Sequence, residues 1–247
     1  RRKTHPENIV ILSASAIETA RLLLNSKSKY FPNVIGNEND WVGRNLHGHP
    51  YPKAFGLFDE EIFDDVGPGS SVAICDFNHH NPGIIGGGYL SNSFIRMPYN
   101  FSQVRPPGEK SWGKQHKDFQ RKYFKRMAEI HGPYQELPNF NQRVEVDQQV
   151  KDFWGIPVPR LSGNTLSVNR KGCDFMAEKA EEWLKKAGAV VTWKSAGISG
   201  IVAAGQHQAG TCRMGNDPKT SVTDKYGRIH AVPNLFVADG SLHVTNG

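Results

Sequence analysis

Two short apolar runs stand far apart in the chain, NIVIL at residues 8–12 and LFVA at residues 235–238, and each stops at small or turn-forming residues. A continuous apolar run of this length suits a strand buried on both faces. After the first run come Ser13, Ala14 and Ser15 and then a helical pattern, AIETARLLLNS; after the second come Asp239, Gly240 and Ser241. Small residues at the carboxyl end of a strand let the backbone approach a ligand, and the N-terminus of a following helix offers unpaired N–H groups to negative charge. Turns of this kind are where open α/β sheets hold nucleotide cofactors. They also serve for ordinary strand-on-helix packing, and Asp-Gly after a strand is a common turn. Neither run decides a function by itself.

Between these ends the pattern changes. KAFGLF, SVAICDF and YLSNSFIRM read as extended segments separated by turn residues, which predicts a meandering sheet. Gly86, Gly87 and Gly88 read as a turn or bulge, because no GxGxxG or GxxxxGK spacing occurs in the chain. Phe119, Tyr123, Met127 and Ile130 fall at helical spacing among Lys and Arg, predicting one amphipathic helix ended by Gly132 and Pro133. RVEVDQQ at residues 143–149 alternates like a half-buried strand, and DFWGIPVPRLSG opens with a turn. A second helix is expected over residues 174–187, with Met176, Ala180, Trp183 and Leu184 on one face, followed by a strand at AVVTW. Phe94, Arg96, Tyr99, Tyr134 and Asn141 in this middle segment are candidate pocket residues that the sequence does not place.

Composition excludes several classes. The net charge of +6 is spread among interleaved acids, and the densest basic stretch, Lys114 to Arg126, still contains Asp118. A nucleic-acid surface would combine a concentrated basic stripe with a recognisable motif, so no nucleic-acid partner is expected. Cys75, Cys173 and Cys212 are too few and too widely spaced for a disulfide framework or a zinc pattern, and the pairs His47/His49 and His79/His80 lack metal-ligand spacing. No metal is expected. No window is apolar enough for a membrane span, and the arginine pair in RRKTHPEN has no apolar run behind it, so no signal peptide is visible and localisation stays open between periplasm and cytoplasm.

The densest functional information lies at residues 207–246. His207 precedes Ala209, Gly210 and Thr211, where small residues keep the space in front of an imidazole open. A neutral imidazole near pH 7 can take the proton of a secondary alcohol, the help that a carbinol needs before its hydride leaves.

Three segments in order resemble the glucose-methanol-choline (GMC) family of flavin oxidoreductases, on the side of its gluconate dehydrogenase and pyranose oxidase branch. NIVILSASAIETARLLLNS is similar to the family's second signature, a small-residue turn followed by a helix. WVGRNLHGHP is similar to its VGRNLxxHP loop. The block from His207 carries HxxGTxRMG, SVxDxxGR and NLFVADGSxxxTxxG. The resemblance implies an α/β plus α+β chain, in which an incomplete FAD-binding Rossmann-like domain carries an inserted antiparallel-sheet substrate domain. The expected divisions are residues 1–50 and 200–247 for the FAD-binding domain and 51–199 for the substrate domain.

The same resemblance implies a FAD-dependent oxidoreductase acting on CH–OH groups of alcohols, sugars or sugar acids, with His207 as the base when hydride passes to flavin N5. It puts Ser13, Ala14 and Ser15 near FAD, Asp239 and Gly240 near its pyrophosphate and ribityl chain, and Asn246 and Gly247 near the flavin ring. Thr211, Arg213 and Met214 occupy motif positions with supporting roles. Two features depart from the family: the opening GxGxxG is absent, and the residue that would pair with the histidine is expected beyond Gly247. Ala20 also stands where proline or serine is usual. The chain is therefore expected to be the carboxyl-terminal portion of such an enzyme, inactive alone. The substrate is a small molecule, the electron acceptor is not encoded, and a homo-oligomer or a partner subunit is compatible. A second reading is a non-catalytic relative that serves as a binding or subunit-interface module.

Overall fold

The computed structural model describes residues 8–62, 69–93, 97–198 and 207–245. The chain divides into two units: Arg1–His49 with Gln135–Leu166 and Ser199–Gly247, and Pro50–Tyr134 with Ser167–Ile198. The sequence division at residues 51 and 199 has no counterpart for the return of residues 135–166 to the first unit.

In the first unit, strand β1 (Val10–Leu12) is followed by helix α1 (Ser15–Leu24), and β1 pairs in parallel with the strand Leu235–Val237 in register Val10 to Leu235. The two apolar runs at opposite ends of the sequence are thus neighbours. Ala20 and Leu23 of α1 pack against Val42, Leu46, Val144, Cys212, Val222, Ile229, Leu235 and Val237. A long hairpin, Arg143–Lys151 with Pro157–Ser162, belongs to the same unit. Its turn is held by Asp152, whose Oδ1 accepts the N–H groups of Trp154 (2.9 Å) and Ile156 (3.0 Å), while Oδ2 accepts Arg21 Nη2 of α1 at 2.7 Å.

The second unit is a five-stranded antiparallel sheet. In chain order its strands are β2 (Lys53–Leu57), β3 (Ala73–Ile74), β4 (Leu90–Asn92), β5 (Met127–His131) and β8 (Val191–Ser195), the hairpin strands of the first unit being β6 and β7. The spatial order is β3-β4-β5-β2-β8, so β2 lies between β5 and β8. Alternation along β2 explains its two burial partners. Ala54 and Gly56 face helix α4 (Ser167–Lys186) and the residues just after it: a Cβ on Gly56 would lie 3.2 Å from Leu184 Cδ2 of the helix and 2.8 Å from Ala189 Cβ. Phe55 and Leu57 join Phe101, Phe119 and Met127 on the other face, and Phe55 stacks on its cross-strand neighbour Trp193 at 5.1 Å. The meander expected from the extended segments is therefore a sheet, but one whose central pairings join distant strands.

Two expectations change. The single amphipathic helix expected through Ile130 is a helix, α3 (Gly113–Tyr123, with α2 being Pro98–Ser102), followed by strand β5. Met127 and Ile130 match helical spacing, but pairing of β5 with β2 and β4 places them in the sheet. Tertiary pairing overrides a local period of this length. Helix α4 begins at Ser167, earlier than expected, because its first turns carry Asn169 and Gly172, weak helix formers that are fully buried here. Gly172 is required by closeness: a Cβ there would come within 2.5 Å of the Tyr134 ring.

Candidate active site

All the described residues assigned to a site by sequence lie in the first unit. Ser13, Ala14 and Ser15 form the exposed corner between β1 and α1. Ser15 has φ +73°, a strained conformation for a residue with a side chain, and Ala14 at the helix N-cap makes no side-chain capping bond. The corner is tied to the strand beside it: Ser13 Oγ donates to Ala238 O at 2.8 Å and Ala238 N donates to Leu12 O at 2.8 Å.

Asp239 and Gly240 follow the last strand, which is β9 (Leu235–Val237), at the start of a 3-10 turn, Gly240–Leu242. Asp239 Oδ1 accepts Ser241 N at 2.9 Å and Ser241 Oγ at 2.6 Å, and Oδ2 accepts Thr19 Oγ1 at 2.5 Å. Thr19 is a residue that sequence reading passed over. It lies inside α1 and looks like ordinary helix filler, yet it links that helix to Asp239.

The histidine motif runs antiparallel to the loop at residues 41–49 and alongside the 3-10 turn. Gly210 N donates to Gly240 O (3.2 Å), Cys212 N to Ser241 O (2.9 Å) and Met214 N to Leu242 O (3.0 Å). On its other side Gly43 N donates to Thr211 O at 2.8 Å, and His47 exchanges two backbone bonds with Ala209, 3.2 and 2.9 Å. Thr211 is buried and its hydroxyl donates to Ala16 O at 2.5 Å, so it ties the motif to α1. Gly210 has φ +91°, and a Cβ there would stand 2.5 Å from His47 Cε1. The glycine of HxxGT is therefore required by conformation and by contact.

His207 is exposed, has φ +55°, and its ring meets the ring of His49 edge-on, with centroids 5.2 Å apart at 82°. His47 is fully buried. Its Nδ1 lies 2.6 Å from Asn45 O, and since a carbonyl only accepts, Nδ1 carries the proton. Nε2 of His47 has no hydrogen-bond partner among the described residues, and neither has Asn45 Nδ2. Burial pulls His47 below the ordinary imidazole range; His243, His49 and Arg213 add to this, and the Asn45 carbonyl opposes it. Arg213 lies over the Trp41 ring at 5.4 Å.

The three sequence segments are thus joined into one constellation. Asn246 and Gly247 lie outside the described residues, as do Phe94 and Arg96. Of the other pocket candidates, Tyr134 belongs to the core of the second unit, where its hydroxyl bonds Ile85 O and burial pushes it up to about 12. Tyr99 and Asn141 are exposed. A polar groove of about 790 Å³, lined by Asn33, Asn37, Asn39, Arg143 and Glu145 among others, includes none of the expected site residues. Among the described residues no group of His, Cys, Asp and Glu is arranged to hold a metal, and no helix is long and apolar enough to cross a membrane.

Residues 142–247 match the model of the GMC oxidoreductase family. The chain is 32% identical to a 2-methyl-1,2-propanediol dehydrogenase of Mycolicibacterium austroafricanum, over 97% of this chain and 44% of that protein. It is 27% identical to the fructose dehydrogenase large subunit of Gluconobacter japonicus, over 96% of this chain and 43% of that one. The crystal structure of pyridoxine 4-oxidase from Mesorbium loti has a similar fold, with a TM-score of 0.62 at 16% identity over 96% of this chain and 47% of that one. The chain spans less than half the length of these relatives. The HxxGT histidine and the Asp-Gly turn lie within residues 142–247, the part that matches the GMC oxidoreductase family, and the strand-turn-helix corner is joined to them in the same unit.

Proposed function

We propose that the protein carrying this chain is a FAD-dependent oxidoreductase that converts a CH–OH group of an alcohol, sugar or sugar acid to a carbonyl, with His207 as the base. The observation that carries this reading is the joining of the HxxGT segment to the Asp239-Gly240 turn and, through Thr19 and Thr211, to helix α1. The activities of the relatives, a diol dehydrogenase and a fructose dehydrogenase subunit, support the substrate class.

The residues present suit FAD. The N-terminus of α1 has no side-chain cap and its corner residues Ser13, Ala14 and Ser15 are small and exposed, so its N–H groups can meet a pyrophosphate. Gly240 allows a close backbone approach, since a Cβ there would lie 2.9 Å from Gln208 O. In this reading Asp239 orders the turn beside the ribityl chain, and Asn246 and Gly247 lie toward the flavin ring. The parallel pair of β1 and β9 is the core of a Rossmann-like sheet. Parallel sheets are stable only with more strands and both faces covered, and the side chains of Ile11 on β1 and Ile9 just before it are 62% and 69% exposed, which suits a further layer packed on that face.

Bound FAD supplies the hydride acceptor. His207 accepts the proton of the substrate hydroxyl, and its exposure leaves the imidazole open to a small molecule. The test is spectroscopic and kinetic. The full-length protein should copurify with a chromophore absorbing near about 450 nm and should reduce an artificial electron acceptor with a polyol, sugar or aldonate. A colourless protein that takes up no added FAD would overturn the proposal.

A further inference from the structure

Glu136 has no place in the sequence reading, yet it is a fully buried carboxyl group in the unit that holds His207. Its Oε2 accepts Gly48 N–H at 2.9 Å, and its Oε1 accepts Gln142 Nε2 at 3.3 Å and Thr165 Oγ1 at 3.5 Å. Burial raises its titration, the three donors oppose this, and no cation contributes. A buried carboxyl without a cation costs several kcal/mol unless its donors are well placed, so a side chain of this kind is costly filler. What it grips is the short segment that faces the histidine motif.

That segment is held from two sides. Leu46 N donates to Gln142 O at 3.0 Å, and Gln142 is itself bonded to Glu136. His47 makes its two backbone bonds with Ala209, two residues after His207. One residue beyond Gly48 is His49, whose ring meets His207 edge-on. His207 stands exposed on a left-handed backbone, and the His49 ring is a contact that bears on its orientation. We propose that Glu136 is a positioning residue: by gripping Gly48 it fixes the segment that presents His49 and so holds His49 against His207. The proposal rests on His207 being the base only for its effect on turnover; the effect on the ring pair stands apart from it.

Two variants separate positioning from simple stability. Glu136→Gln keeps a carbonyl acceptor for Gly48, and its amide can donate to Gln142 Oε1, which is buried and unpartnered, once that amide turns over. Glu136→Leu removes both acceptor oxygens and with them all three hydrogen bonds. Histidine ring signals of the 15N-labelled full-length protein, assigned with His49→Gln and His207→Gln, give a readout independent of activity. The expected result is an unchanged His49–His207 ring contact in Glu136→Gln and its loss in Glu136→Leu. Turnover should fall about tenfold or more in Glu136→Leu with KM within about twofold, as for a displaced but intact base. If Glu136→Leu does not fold, Glu136→Asp, which draws the carboxylate back by one methylene, should weaken the same contact. An unchanged ring contact in a folded Glu136→Leu or in Glu136→Asp overturns the proposal. A lost contact together with full turnover in His207→Ala would overturn the base assignment and leave the positioning role standing.

Discussion

Thr19 and Asp239 are bonded side chain to side chain across 220 residues of sequence, Thr19 Oγ1 donating to Asp239 Oδ2 at 2.5 Å. Thr19 is fully buried. Thr19→Val keeps the shape and deletes the donor, leaving one carboxylate oxygen without its protein partner. A hydrogen bond to a charged acceptor contributes about 1.5–3 kcal/mol, and the variant should lose that much stability in urea unfolding. A loss below about 0.5 kcal/mol would mean that water replaces the hydroxyl at no cost.

The base assignment makes a kinetic prediction. His207→Ala should lower turnover by about two to four orders of magnitude, the usual worth of a general base, with FAD still bound. Wild-type turnover in stopped-flow reduction of the flavin would move His207 out of the chemistry.

Gly210 cannot be replaced cheaply. An alanine would adopt φ +91° and press its Cβ on the His47 ring. Strain and overpacking of this kind each cost about 1–3 kcal/mol. Gly210→Ala should therefore lower the unfolding free energy by about 2 kcal/mol or more, whereas Gly188→Ala, with nothing within 4 Å of its Cβ, should show only the backbone part.

Two buried groups give the stability an inward-sloping pH dependence. Glu136 titrates above its ordinary value of 4.5 because of burial, so the folded state binds its proton more tightly than the unfolded state. Its contribution is complete below 4.5 and is lost as pH rises through the folded value. His47 titrates below 6.5, again through burial, so its contribution is complete above 6.5 and is lost as pH falls through the folded value. Glu136→Gln should flatten the decline on the alkaline side of 4.5, and His47→Gln should flatten the decline on the acid side of 6.5. Denaturation midpoints measured from pH 4 to 8 would check both, and parallel curves for wild type and variants would refute them.

Cys75 is exposed, whereas Cys173 and Cys212 are fully buried, and burial pushes Cys212 up to about 12. A thiol reagent added to the native protein should titrate one cysteine quickly and the other two only after denaturant. Fast reaction of all three would show that the cores around Met176 and Val222 open readily.

Much of the fold was legible because its signals are local. The two apolar runs read as strands and are β1 and β9, although Ile11 of β1 is exposed where a strand buried on both faces was expected, and Met176, Ala180 and Leu184 read as one face of α4. The misreading at Met127 and Ile130 has the opposite cause. Their three-residue spacing is helical, and only pairing with Lys53–Leu57, some seventy residues away, makes them a strand. The site shows the same contrast. HxxGT and Asp-Gly are contiguous patterns, and the sequence carried them. Thr19 and Glu136 bond to segments distant in sequence, and a threonine in a helix or a glutamate two residues before a proline carries no local mark of such bonds. A sequence cue did exist for Glu136, an acid with few charged neighbours between Tyr134 and Phe140, but such cues are common and seldom specific.

The parallel pairing of Val10 with Leu235 also governs how the protein is assembled. Closing a flexible loop of some 225 residues costs about 5 kcal/mol in chain entropy, and local contacts form much faster than such a closure. Residues 50–134 and 167–198 can complete their own sheet first and shorten the loop that remains. During synthesis β1 leaves the ribosome some 225 residues ahead of β9, so Val10, Ile11 and Leu12 wait through that interval for their pairing with Leu235–Val237. Aggregation of nascent chains should therefore respond to polar substitutions in this strand.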